Sequence, residues 1–366
     1  MNFDYTGDQE ELRQLTRKIL DDQVTMDRLR EVEAGEEWLD RRTWDEFAKA
    51  GLLGIALPED LGGGGLGFLE IAIVLEEVGR AVAPVPVLAS IVTGALPIAE
   101  FGTAEQRKQW VPSAAGGETF LTAALQELNN DDAGAPTTAA GSDGSLSGEK
   151  HFVPAAHLAA RVLVPARSGD GIGVYLVDPQ GDGATLERVT ATNGEPLCIL
   201  TLDGAPGELL GDGSTPGAEI VEWTRQRAVA GICMVQSGLS ERALRLTAEY
   251  VSSREQFDHP IAAFQAVSQR AADAYIDTEA VRLTAHQAAW RLAEGLPAED
   301  EIAIAKFWAA DGGQRVGHAA QHLHGGVGVD TDYPLHRYFT WSKQHELTLG
   351  SGTRQLLGLG AALAAD

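Results

Sequence analysis

Residues 217–265, GAEIVEWTRQRAVAGICMVQSGLSERALRLTAEYVSSREQFDHPIAAFQ, carry a long helical signal. Val221, Ala228, Ile232, Val235, Leu239, Ala243, Leu246 and Tyr250 recur at steps of three, four or seven, which places them on one face of a helix. A helix this long belongs to a bundle, because one apolar stripe needs neighbours to cover it. Helical spacing over about Phe264–Ala293 and Ala298–His322 supplies them.

Toward the N-terminus the pattern changes. From about Glu118 the apolar residues fall in short runs, TFLTAAL, RVLVPA, GVYLVD and CILTLD, separated by Gly, Asp, Asn and Pro clusters, which predicts antiparallel strands. Before them, Leu12, Leu15, Ile19 and Leu20 make one helical stripe, and 68–82 and 85–98 are further apolar helical stretches. The chain therefore reads as α+β in the order α–β–α: a helical domain over 1–117, a central antiparallel β-domain over 118–215 and a C-terminal four-helix bundle over 216–366.

The 366 residues, 44% of them hydrophobic, suffice for a substantial core. With 28 basic against 53 acidic side chains the net charge of −25 argues against nucleic acid and anionic membranes as partners. An anionic ligand must then meet a local positive site. MNFDYTGDQEEL has neither the basic nor the apolar region of a secretory leader, and no apolar run spans a bilayer, so a cytoplasmic location is expected. Cys198 and Cys233 are too few and too far apart for a metal cluster or disulfide framework and read as buried thiols.

Three glycine- or arginine-bearing segments stand out. Pro58–Gly67, PEDLGGGGLG, contains a superficial dinucleotide fingerprint but lies between helices with no βαβ context, so a helix-linking loop accounts for it better. At the end of the long helix, Arg254 with Phe257 a turn later offers a fork of N–H donors beside an aromatic face, suited to a pyrophosphate next to a planar ring, or else a solvated Arg and a core Phe. Gln321–Gly328, QHLHGGVG, lets backbone amides approach a ligand closely, or serves as a helix cap and turn; His322 and His324 lack the spacing of a metal site.

In this order, LPEDLGGGGLG, the Arg254–Gln265 segment, HLHGGVGV and YPLHRY resemble the acyl-CoA dehydrogenase family over nearly the whole chain. The resemblance implies FAD at a subunit interface, with contacts from two chains. It implies that Arg254, Phe257, Gln265, the turn His322, Leu323, His324, Gly325 and Gly326, and Ser351 and Thr353 reach the flavin nucleotide of a neighbouring chain. One departure falls within that set: the place usually held by Gln is His322, with Gln321 one step earlier.

Other departures concern the chemistry. Family members abstract an α-proton with a carboxylate while a hydride passes to the flavin. Counting from Pro334, the position of that base holds Leu349, and the alternative position, just before an Arg early in the long helix, holds Thr224. Glu346 and Glu222 lie close enough in sequence to be considered as relocated bases. The family's Trp-x-Thr beside the flavin becomes Phe152-Val153-Pro154 and its Thr-Glu-Pro strand becomes Gln126-Glu127-Leu128. The losses fall on the half-site that a subunit builds for its own flavin, which resembles the non-catalytic subunit of heterotetrameric steroid side-chain acyl-CoA dehydrogenases of actinobacteria. That likeness implies a catalytic partner subunit holding most of the acyl-CoA, and an electron-transfer flavoprotein as acceptor. A self-sufficient homotetramer with a relocated base and a flavin-free scaffold are the two alternatives.

Overall fold

The computed structural model describes residues 3–130, 132–169 and 171–365; the first two residues of the N-terminal stretch lie outside them. The helices are α1 (Gly7–Gln23), α2 (Met26–Glu33), α3 (Arg41–Lys49), α4 (Phe68–Ala81), α5 (Leu96–Phe101) and α6 (Ala104–Ala115). The sheet strands follow: β1 (Phe120–Ala123), β2 (Ala139–Ala140), β3 (Ser145–Pro154), β4 (Ala159–Ser168), β5 (Gly171–Val177), β6 (Ala184–Thr190) and β7 (Pro196–Leu209). The last part holds α7 (Gly217–Ser253), a hairpin of β8 (Glu255–Gln256) and β9 (His259–Pro260), then α8 (Gln265–Ala293), α9 (Glu299–Phe307), α10 (Gly313–His324), α11 (Leu335–Leu347) and α12 (Gly352–Ala365). No helix is long and apolar enough to cross a membrane among the described residues.

The residues sort into two compact units, the first made of Met1–Arg28, Ala72–Ala83 and Val229–Asp366. Here α8 buries Ala274, Thr278, Val281, Ala285, Ala288, Ala289 and Leu292, the recurrence of a single helical face. A π-helical turn, Trp308–Gly312, joins α9 to α10. Glycine sets the approach of α4 to α7: a Cβ on Gly79 would lie 2.0 Å from the Val235 carbonyl oxygen, and one on Gly238 1.9 Å from that of Glu76. Two adjacent carboxylates tie α4 to its neighbours, Glu77 to α1 and Glu76 to Tyr5, α7 and α8. Glu77, 1% exposed, accepts from Arg17 Nη2 at 2.7 Å and Arg80 Nε at 2.6 Å. Glu76 accepts from Tyr5 at 3.0 Å and Ser237 at 2.7 Å, with His286 Nε2 at 3.1 Å. Burial opposes its ionisation, but His286, Ser237 and Tyr5 hold its carboxyl down to about 2. Of the expected α1 stripe, Leu20 is buried whereas Leu15 is 44% exposed.

The second unit is Leu29–Ile71 and Pro84–Ala228. In its helical part Trp44 is fully buried, stacked on Phe120 at 4.9 Å, with Nε1 donating to the Gly117 carbonyl at 2.9 Å. The glycine-rich loop folds tightly on its own chain. Gly63, Gly64, Gly65 and Leu66 donate their amides to Pro58, Gly54, Leu57 and Ile55, leaving none of these four for a phosphate. Among the strands, β4–β2–β3–β7–β5 pair in sequence and β5 returns to β4, closing a small barrel, with β6 added on β7. Leu146, Val153, Val162, Val164, Tyr175, Val177, Cys198, Leu200 and Leu202 fill it. The sheet is not wholly antiparallel as expected: β1 and β2 each run parallel to β4, because neither is joined to it by a hairpin and the chain passes through β3 before β4 begins.

Candidate functional site

The first unit carries an exposed apron. Where α7 ends, the chain turns back through β8 and β9, paired Glu255 to Pro260 and Gln256 to His259. The two residues between, Phe257 (φ 56°) and Asp258 (φ 64°), are both left-handed, the signature of a type I′ turn. Neither is glycine, so the turn stores roughly 1–2 kcal/mol per residue. The outcome is a phenyl ring 84% exposed, edge-on to Phe264 at 6.2 Å. Residues 252–260 and 263–266 are all exposed. Arg254 takes part through its backbone only, its N–H donating to Tyr250 and its carbonyl accepting from Ile261, both at 2.8 Å. Its guanidinium meets no partner among the described residues. Gln265 opens α8 exposed, and that helix start has no side-chain cap. Arg270, on the same open stretch, is likewise exposed and without a partner among the described residues; sequence reasoning passed over it.

The turn after α10 is built differently from side chain to side chain. His324, 3% exposed, donates from Nδ1 to the Ala320 carbonyl (2.8 Å), leaving Nε2 to accept from the Tyr333 hydroxyl (3.1 Å). Its ring stacks on Tyr250 at 4.4 Å, and burial lowers its pKa. His324 thus ties the end of α7 to the Tyr-Pro segment, and its imidazole is committed inside the fold. Leu323 is buried too. Only their backbones remain to meet a ligand. Gln321 braces the turn: with its amide oriented so that the nitrogen meets Gly328 O (2.9 Å) and the oxygen meets Val329 N (3.3 Å), both backbone groups are satisfied. His322 points into solvent, and at Gly325 and Gly326 a Cβ would meet nothing within 4 Å. Further along, Ser351 is half-buried and Thr353 exposed, both side chains without a hydrogen bond among the described residues.

The positions of interest for proton abstraction hold other chemistry. Leu349 is half-buried and left-handed (φ 54°). Glu346 is bound to Lys343 Nζ at 2.9 Å on its own helix. In the second unit, Thr224 is buried and donates to the Ile220 carbonyl at 2.7 Å. Glu222 is clamped by Nε and Nη2 of the Arg225 fork, each at 2.7 Å. Both glutamates have the geometry of structural ion pairs within one helix.

Also in the second unit, β3 breaks register between Lys150 and Val153, and Phe152 there is left-handed (φ 53°) and 46% exposed. Pro154 has no N–H, and its carbonyl accepts from Thr122 at 2.8 Å. Gln126 bridges to His151 through its backbone, and Leu128 is 61% exposed. Glu127 between them is buried and accepts from Lys150 Nζ at 2.7 Å and from the amides and hydroxyls of Thr137 and Thr138. Burial would raise its carboxyl, but Lys150 and the two threonines hold it well below the ordinary range, so it is locked as an internal anion.

One unit built on a β-barrel and another built on long helices agree with the sequence comparisons. Models of the acyl-CoA dehydrogenase N-terminal and C-terminal domains match residues 6–118 and 216–364. The chain is 40% identical to acyl-CoA dehydrogenase FadE27 of Mycobacterium tuberculosis over 374 aligned residues, covering 100% of this chain and 99% of that protein. It superposes on a variant of the Tcur3481-Tcur3483 steroid ACAD with a TM-score of 0.92 and 44% identity, over 98% of both chains. On the ChsE4-ChsE5 complex from Mycobacterium tuberculosis the TM-score is 0.93, with 40% identity over 100% of both chains. The chain belongs to the acyl-CoA dehydrogenase family, oxidoreductases that depend on FAD.

The two units differ in how well they suit FAD. The apron offers an unpaired guanidinium, an exposed aromatic ring, an uncapped helix start and open glycines, a donor set that fits a nucleotide pyrophosphate. The β3 segment offers a proline, an exposed phenyl and a carboxylate already saturated with internal donors, which does not fit the ring system.

Proposed function

We propose that this chain is the non-catalytic subunit of a heterotetrameric, FAD-dependent acyl-CoA dehydrogenase, acting in the cytoplasm on a steroid side-chain CoA thioester with an electron-transfer flavoprotein as acceptor. Arg254, Phe257, Gln265, the backbone of His322–Gly326, Ser351 and Thr353 complete a flavin site whose other half belongs to the catalytic partner. FAD, when bound, supplies a hydride acceptor; this chain's residues bind its nucleotide portion and exclude water from it. The partner contributes the base and most of the acyl-CoA pocket. A helical domain over 1–117, a β-domain over 118–215 and a bundle over 216–366 are the corresponding division.

The observation that carries this reading is Phe257, held 84% exposed on two consecutive left-handed residues. A strained turn that projects a large apolar ring three residues after an exposed arginine is costly in the free chain, and contacts with another molecule would offset that cost. The saturation of Glu127, the ion pairs of Glu222 and Glu346 and the internal bond of Thr224 support the absence of a base. The names of the related structures, ChsE4-ChsE5 and the Tcur3481-Tcur3483 steroid ACAD, support a two-chain steroid enzyme. Acyl-CoA-dependent dye reduction by the purified chain with added FAD, compared with the chain co-expressed with its partner, is the test. Activity only in the pair is expected; activity of the chain alone favours a self-sufficient enzyme.

A further inference from the structure

Lys306 in α9 is fully buried, with no ion pair among the described residues. Its Nζ lies 2.7 Å from the His345 carbonyl oxygen and 3.2 Å from that of Glu346, at the C-terminal end of α11. A helix end leaves its last carbonyls without intrahelical partners. In α11 each is accounted for. Gln344 accepts from Thr348 N (3.2 Å) and Thr348 Oγ1 (2.8 Å), Leu347 accepts from Gly350 N (3.3 Å), and the two between them accept from Lys306. Immediately beyond, Leu349 (φ 54°) and Gly350 (φ 106°) turn the chain into α12. Ser351 O then accepts from Gln355 N at 3.2 Å.

We propose that Lys306 is a positioning residue whose buried ammonium caps α11 and so holds residues 347–353 in the shape that presents Ser351 and Thr353 to the partner's flavin. The functional half of this inference rests on the reading given under Proposed function. A purely packing role does not explain a lysine here. A leucine or methionine would fill the space without the desolvation of a charge, and no carboxylate among the described residues bonds to the ammonium; Glu346 offsets that cost only through space. What an apolar side chain cannot do is donate to two carbonyls at the negative end of a helix. The groups facing the ammonium are poor counter-ions. Cys233 of α7 is pushed up to about 12 by burial and so stays a neutral thiol. The His345 imidazole is driven down to about 3 by burial and then by the Lys306 charge. The Glu346 carboxylate is bound to Lys343. Burial lowers Lys306 itself to about 8.

The test is amide hydrogen exchange together with FAD affinity, measured on the complex of this chain with its catalytic partner. Lys306→Met removes the donors at nearly constant volume, and Lys306→Gln restores an uncharged donor. Exchange at Thr348, Gly350 and Gln355 is expected to rise at least about tenfold in K306M, against little change along α8. FAD affinity should fall in parallel, and K306Q should recover part of both. Unchanged exchange at these three amides in K306M, or an equal loss across α8 in both variants, would overturn the inference. Faster local exchange with unaltered FAD affinity would keep Lys306 as the anchor of the segment and overturn the contact of Ser351 and Thr353 with flavin. A wild-type complex without FAD would sink the proposed function, while the exchange data would still decide the role of Lys306.

Discussion

Arg254→Ala separates ligand binding from folding. The guanidinium is exposed and makes no bond to the described residues, so its removal orphans none of them and should change stability by no more than about 0.5 kcal/mol. In the complex the same group is assigned to the flavin pyrophosphate, where a charge-assisted hydrogen bond contributes about 1.5–3 kcal/mol. At 1.4 kcal/mol per decade, the Kd for FAD should rise about 10- to 150-fold. The chain's net charge of −25 adds weight to this residue, because the surrounding field repels the ligand and the local fork must overcome it. Arg254→Lys should lie between wild type and Ala, since an ammonium keeps the charge but loses the fork. Titration of the flavin-depleted complex with FAD, followed by quenching of flavin fluorescence, gives Kd, and a melting curve gives stability. Unchanged Kd with a lowered melting temperature would show Arg254 to be structural and refute the reasoning.

Three further outcomes follow from the same geometry. Leu349→Glu should leave the isolated chain inactive in an acyl-CoA-dependent dye assay and add little turnover to the complex, because on the proposed function the β3 segment is not the flavin ring's site; appreciable activity of the lone mutant would mean that a complete second site exists. Glu127→Ala strands the buried Lys150 ammonium and should cost about 3–5 kcal/mol in denaturant unfolding, and a loss below about 1 kcal/mol would contradict the buried pair. Burial raises Glu195 from 4.5 to about 7, so the folded chain binds its proton more tightly than the unfolded chain does; stability from this group is full below about pH 4.5 and is lost as pH rises to about 7. Glu195→Gln mimics the protonated form and should stabilise the chain at pH 8 by at most about 3 kcal/mol, less if solvent reaches the part-buried carboxyl, with the gain vanishing at pH 4.5; an equal gain at both pH values would argue against the shift.

The long helices were legible because α7 and α8 repeat one apolar face over many turns. Strands β1, β4, β5 and β7 showed as short apolar runs. SLSGEKHFVP and ATLERVT, which form β3 and β6, are polar and partly exposed, and no local signal marks them. Parallel pairing of β1 and β2 with β4 is a long-range choice that a single strand's sequence does not encode. At the site, residue types were visible but their commitments were not. His324, read as part of a turn that reaches the flavin, has its ring stacked on Tyr250 and tilted against Tyr333, partners 74 and 9 positions away by number. Glu127 finds Lys150 across 23 positions. The left-handed turn at Phe257–Asp258 was hidden because neither residue is glycine. Lys306 did leave a trace, a lone charge inside the apolar run IAIAKFW.

Flavin content of the purified assembly bears most directly on the central claim. The chain alone should be colourless, and co-purification with its catalytic partner should yield one FAD for each pair of unlike chains, lost on Arg254→Ala. A yellow oligomer of this chain by itself, or one FAD for every chain of the complex, would contradict the account.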